Sequence, residues 1–158
     1  MARDVKGKKV AILTENGFEE VELTSPMNAL EQAGATVHII SPQKGKVKAW
    51  DHDHWSIELP VDKDLSGANP EEYDMLLLPG GVLNPDTLRL NKEAVSFAQH
   101  FLEQGKPLAA ICHDAGNTTT GDACPPCALL YCKDSVSRSA LRLEAPIALT
   151  FPCFTRSA

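Results

Sequence analysis

What this sequence has little of narrows its class first. Its charged start, Met-Ala-Arg-Asp-Val-Lys-Gly-Lys-Lys, is followed by an apolar run of only four residues, too short for a secretory h-region or a membrane span. The expected location is therefore the cytoplasm, with no membrane partner. Positive charge is also scarce: 15 Lys and Arg stand against 21 Asp and Glu, giving a net charge of -6. No basic stretch is dense enough to neutralise a row of phosphates, so nucleic acid is not an expected partner. A disulfide framework is lacking as well. In a reducing compartment the five cysteines read as thiols; Cys112 stands alone and the other four fall between 124 and 153. What is present, 158 residues of which 43% are hydrophobic, suffices for one domain with its own core.

The first two-thirds of the chain alternates strand and helix patterns. Lys9-Val-Ala-Ile-Leu13 is a short, β-branched apolar run expected to form a strand buried on both faces. After the turn residues Asn16-Gly17, Val21, Leu23, Met27, Leu30 and Ala33 recur at helical spacing, with Gly34 as the stop and Pro26 as an interruption. Thr36 to Ile40 is a second strand, so the three segments form a βαβ unit with a right-handed crossover and parallel strands. Pro42 to Leu65 is polar and broken, with Lys44-Gly45-Lys46 as a turn between strand-like pieces. Such an excursion carries function or covers a sheet edge. Met75-Leu-Leu-Leu78 is a core strand ending in Pro79-Gly80-Gly81, where glycine lets the backbone approach a ligand closely. Asn91 caps a helix from Lys92 to Gln104 whose apolar residues are Ala94, Val95, Phe97, Ala98, Phe101 and Leu102, and Leu108 to Ile111 is the next strand.

Cys112 and His113 end that last strand. In open α/β sheets reactive groups gather at the carboxyl ends of strands, and a strand-to-helix turn exposes its central side chain there. A thiol with a pKa near 8.5 needs a cation, hydrogen-bond donors or a helix N-terminus to become a thiolate. Cys112 is therefore a nucleophile or, alternatively, a small core residue at a strand end. Gly80-Gly81 favours the first reading, because amides of Gly81 and His113 would form an oxyanion hole; by itself a Gly-Gly pair is an ordinary turn. Glu19, Glu20 and Glu22 open the first helix, where carboxylates complement the helix dipole or, alternatively, turn toward the thiol. Asp51-His52-Asp53-His54 offers four metal ligands in succession. Neighbours on an extended chain point to opposite faces, so only two would share an ion, and a solvated loop with no metal is expected. Cys124-Pro-Pro-Cys127 has redox or zinc spacing without a second ligand pair.

Val10-Ala-Ile-Leu13, Gly17-Phe-Glu-Glu-Val-Glu-Leu23, Trp50-Asp-His52, Leu78-Pro-Gly-Gly81 and Ala110-Ile-Cys-His113, in this order and spacing, resemble the PfpI-type intracellular protease family. That family belongs to the class I glutamine amidotransferase-like superfamily and includes the Parkinson-associated deglycase and bacterial stress-protein relatives. The resemblance covers residues 8–113 and implies a flavodoxin-like three-layer α/β sandwich with a mostly parallel sheet. It implies a cysteine-dependent hydrolase without a cofactor, acting on small carbonyl, glycated or peptide substrates. Cys112 would be the nucleophile and His113 its proton relay; Glu22, in preference to Glu19, would hydrogen-bond the thiol, and Gly81 would serve the oxyanion. Asp86 would reach the histidine of a second copy, so a homo-oligomer is expected. A non-catalytic, redox-responsive binding protein in which Cys112 is oxidised beside a carboxylate is the alternative.

The resemblance stops at His113. Family members continue into Gly-Pro and an apolar helix, whereas Asp114 to Asp122 holds almost only turn and β-branched residues, poor helix formers that leave thiolate stabilisation short of its helix. Residues 114–158 thus read as a divergent tail on an α/β domain of residues 1–113, leaving the C-terminal part of the fold atypical or incomplete. A reading-frame shift near codon 113 or 114 accounts for the break, and an inactive product is the consequence in its extreme form. Translating the downstream DNA in the other two frames is expected to yield the Gly-Pro-helix continuation; its absence from both frames overturns the frame shift.

Overall fold

The computed structural model describes residues 5–111 and the strand Ala128–Tyr131. Five strands form a parallel array: β1 (Lys9–Leu13), β3 (Thr36–Ser41), β6 (Lys63–Asp64), β7 (Met75–Leu78) and β8 (Leu108–Ile111). β9 (Ala128–Tyr131) adds an antiparallel edge, so the order across the sheet is β6-β3-β1-β7-β8-β9. Outside this sheet, β2 (Phe18–Glu19), β4 (Lys46–Asp51) and β5 (His54–Pro60) form a second, three-stranded one. The strand-like pieces of the polar stretch after β3 are therefore β4 and β5, paired as an antiparallel hairpin.

The alternation of side chains along β1 builds the layers. Ala11 and Leu13 face one cluster, with Leu88 of α2 (Asn84–Leu90) and Ala94, Phe97 and Phe101 of α3 (Lys92–Glu103). Val10 and Ile12 face the other side, where Leu23 and Leu30 of α1 (Glu20–Gln32) cover them, with Val47 and Ala49 of β4 beside Leu23. Because β1 is central, each of its apolar side chains is 1% exposed or less. The result is the expected α/β sandwich of helix, sheet and helix layers. Gly34, at a positive φ of 85°, ends α1, and the Asn91 side chain caps α3 by accepting from the Glu93 and Ala94 amides.

Helix faces were narrower than the apolar spacing implied. In α3, Val95 and Leu102 are 47% and 36% exposed. At about 100° per residue they lie to one side of the face made by Ala94, Phe97, Ala98 and Phe101. Val21 on α1 and Ala33, the C-cap that follows it, are likewise exposed, while Pro26, expected only to interrupt that helix, is buried within it. The helix α2 was not anticipated; seven residues carry too short a period to declare it. Apart from β9, the divergent tail of residues 114–158, including Cys124, Cys127, Cys132 and Cys153, lies outside the described residues.

Asp74 joins the starts of β1 and β7, its carboxylate accepting from the Lys9 amide at 2.9 Å and from Lys8 Nζ at 3.4 Å. The Lys9 bond, reinforced by Lys8, holds this carboxyl below the usual carboxylate range. A depressed native pKa gives stability that is complete above the unfolded value of about 3.9 and is lost as pH falls through the native value. Asp74→Asn is therefore expected to lower stability at neutral pH and to flatten its decline below about pH 4. Urea unfolding across a pH series measures both effects.

Candidate active site

The carboxyl ends of β1, β7 and β8 lie side by side, with Leu78 of β7 in register with Ala110 of β8. Beyond β7 the chain comes close to another segment. Gly81 is buried at φ 114°, a conformation that L side chains rarely adopt. A Cβ there would lie 2.5 Å from the Gly17 carbonyl oxygen, 2.6 Å from the Glu19 nitrogen and 2.8 Å from Phe18 Cα. Glu19 N donates to Gly80 O at 3.3 Å, so the glycine loop and the entry to α1 are pressed together backbone against backbone.

Asn84, fully buried, holds the glycine loop from its other side. Its Nδ2 donates to Pro79 O at 2.7 Å and Gly80 O at 3.4 Å, while its Oδ1 accepts from Glu15 N at 2.6 Å and Thr14 Oγ1 at 3.3 Å. One amide thereby ties the residues after β1 to those after β7. Glu15, buried as well, uses Oε1 to accept from Asn16 N at 2.9 Å, and Asn16 Oδ1 accepts from Lys48 N at 2.8 Å, which carries the network to β4. Asn84 and Glu15 escaped the sequence reading. An Asn-Pro pair signals a turn, but nothing local says that the asparagine will be enclosed.

The sequence-predicted residues fall as follows. Gly81 sits on the strand rim as expected. Glu22 is half-buried in the first turn of α1, three residues after Glu19, which is itself buried at 8% exposure. Asp86 is exposed on α2 and pairs with Arg89 Nη2 at 3.1 Å. Cys112 and His113 lie outside the described residues; they follow Ile111, the last residue of β8. The Asp51-to-His54 segment is a tight turn and not the extended chain assumed above. Asp51 ends β4, His52 takes a positive φ of 56°, and His54 begins β5. The turn breaks the alternation, so Asp51 and His52 converge on one side and their Oδ1 and Nδ1 are hydrogen-bonded. Asp53 and His54 pair separately at 2.7 Å; this bond holds the Asp53 carboxyl below its ordinary range and the His54 imidazole above its own.

Residues 8–122 match the DJ-1/PfpI family. The chain belongs to the DJ-1/PfpI family. Among the similar proteins of that family is Deglycase PH1704 of Pyrococcus horikoshii, 43% identical over 105 residues that make up 66% of this chain and 60% of the relative. Protein/nucleic acid deglycase 2 of Escherichia coli is 41% identical over 106 residues, 67% of this chain and 60% of the relative. The chain thus spans about 60% of the length of the curated relatives it matches. A solved two-domain protein of Anabaena variabilis, with DJ-1/ThiJ/PfpI-like and ferritin-like domains, superposes with a TM-score of 0.61 at 37% identity, covering 67% of this chain and 30% of that one. The DJ-1/PfpI match accounts for the parallel sheet and for the motif order read from the sequence.

Asn84→Ala is expected to destabilise the protein by about 1–3 kcal/mol, because it leaves buried donors and acceptors at both strand ends without partners. Gly81→Ala is also destabilising, since the clash is with backbone atoms that cannot rotate away. Arg89→Ala, at an exposed position on the same helix, stays within about 0.5 kcal/mol of the parent. Denaturant unfolding distinguishes the three.

Proposed function

We propose that this chain is a cysteine-dependent hydrolase of the DJ-1/PfpI type, acting in the cytoplasm on small carbonyl, glycated or peptide substrates. The observation that carries the proposal is the buried Gly80-Gly81 loop at the end of β7, in register beside the strand that leads directly into Cys112. In this reading the Cys112 thiolate attacks the substrate carbonyl, forming a carbon–sulfur bond while the carbonyl electron pair moves to oxygen. The amides of Gly81 and His113 receive that oxyanion, and the clamp from Asn84 keeps the glycine loop from shifting as charge develops. With a peptide, the oxyanion collapses and breaks the carbon–nitrogen bond, the departing amine takes the proton that His113 received from the Cys112 thiol, and water then releases the acyl group from sulfur.

Glu22 tunes the thiol. An ionised carboxylate beside a thiolate would repel it, so the useful form is the neutral acid, donating its O–H to sulfur. Asp86 orients His113 of a second copy; its exposure on α2 leaves it accessible to such a contact, which requires a homodimer or a larger assembly. The names of the Pyrococcus and Escherichia relatives favour early glycation adducts as substrates, and the second extends the class to glycated nucleic acid as well as protein.

Alkylation of Cys112 followed against pH, together with turnover of methylglyoxal and of a glycated peptide, tests this function. Cys112→Ser is expected to abolish turnover. Glu22→Ala is expected to raise the alkylation midpoint by about one pH unit, and Glu22→Gln, which keeps a donor, to restore part of it. An unreactive Cys112 in the parent protein overturns the reading.

A further inference from the structure

The turn between β4 and β5 brings three ligand-bearing side chains from two segments to one place. Asp51 Oδ1 and His52 Nδ1 are in hydrogen-bonding contact, and Glu19 Oε1 lies 3.7 Å from the same His52 nitrogen. One ligand atom from each residue lies within 4.8 Å of the other two. Bonds of about 2.0–2.2 Å from a single ion span such a group after small side-chain rotations.

The second observation is the burial of Glu19. Its side chain is 11% exposed, yet among the described residues its carboxylate takes contacts from His52 alone, from the backbone N–H at 3.4 Å and the ring. A buried carboxylate without a lysine or arginine is costly, and a bound cation is one of the few groups that offsets the cost. The backbone of Glu19 does not adapt: β2 pairs it with Trp50, and its amide is bonded to Gly80. The side chain is thus presented from a rigid base toward the turn.

We propose that Glu19, Asp51 and His52 bind one first-row divalent transition-metal ion, of which Zn²⁺ is representative. Two carboxylate oxygens and an imidazole nitrogen suit that class better than Mg²⁺ or Ca²⁺, which favour oxygen alone. His54 and Asp53, equal candidates by sequence, pair with each other and do not join the group whose ligand atoms converge on Glu19. The Asp51 and His52 side chains are 41% and 66% exposed, so an ion enters from solvent and keeps water in its remaining positions. This site is independent of Cys112 and of the hydrolase reading.

Trp50 supplies the reporter, since its Nε1 donates to the His52 carbonyl at 3.0 Å. Titrating the full chain with Co²⁺ under reducing conditions is expected to give saturable quenching of tryptophan fluorescence, reversed by Zn²⁺ but not by Mg²⁺. The cobalt spectrum is expected to lack the intense thiolate charge-transfer band that the cysteines would produce. Glu19→Gln and His52→Asn are each expected to weaken binding at least tenfold, and Cys124→Ser to leave it unchanged. Should burial make Glu19→Gln unfold by circular dichroism, Asp51→Asn at the exposed ligand serves in its place with the same expected loss. Absence of saturable quenching, a thiolate band, or undiminished affinity in the ligand variants overturns the site.

Discussion

The close backbone approach at Gly81 is the constraint on which the functional rim depends. A side chain has no room where Gly81 meets Gly17, Phe18 and Glu19, and the loop is held there from the opposite side by Asn84. A clamp built from a fully buried, four-bonded amide acts differently from one built on apolar contact. It fixes direction as well as distance, because each hydrogen bond weakens steeply when its angle changes. The carbonyls of Pro79 and Gly80 are thereby aimed, and the amide of Gly81 with them.

Glu19 serves two neighbours on this rim. Its amide supports the glycine loop through Gly80, while its carboxylate faces His52 across the β4–β5 turn. Backbone and side chain of one residue serve different neighbours, which is available only where a short strand, here β2, holds the residue by pairing on one edge. The hairpin is therefore part of the site's architecture: it supplies Asp51 and His52, and Lys48 anchors Asn16 and Gly17 just before the Gly81 contact.

Much of the fold was legible in the sequence. Lys9–Leu13, Met75–Leu78 and Leu108–Ile111 are short apolar runs, and runs of this kind form strands buried on both faces wherever helices cover each side. The caps at Gly34 and Asn91 are local chemistry, readable without neighbours. Gly81 was legible only in part: a glycine pair closing a core strand permits a close approach, read as one to a ligand, whereas the neighbour is the backbone of Gly17, Phe18 and Glu19. Asn84 was not: whether a polar residue in a turn is solvated or enclosed depends on what packs over it. The Asp51–His52 pair was read with the wrong period, because strand alternation fails at a turn whose positive φ at His52 becomes visible only in the folded chain.

By itself the sequence determined the family and the type and order of the longer elements β1, α1, β3, β7, α3 and β8, because these follow from periodicity, capping and motif spacing along the chain. The tertiary structure alone decided the partners: which face of β1 meets which helix, that Asn84 closes the rim, and that Glu19 joins Asp51 and His52 across more than thirty positions of sequence. The physical reason is that hydrogen bonds and ligand sets require atoms at fixed distances and angles, and no local pattern encodes a distance between segments that only the packed sheet brings together.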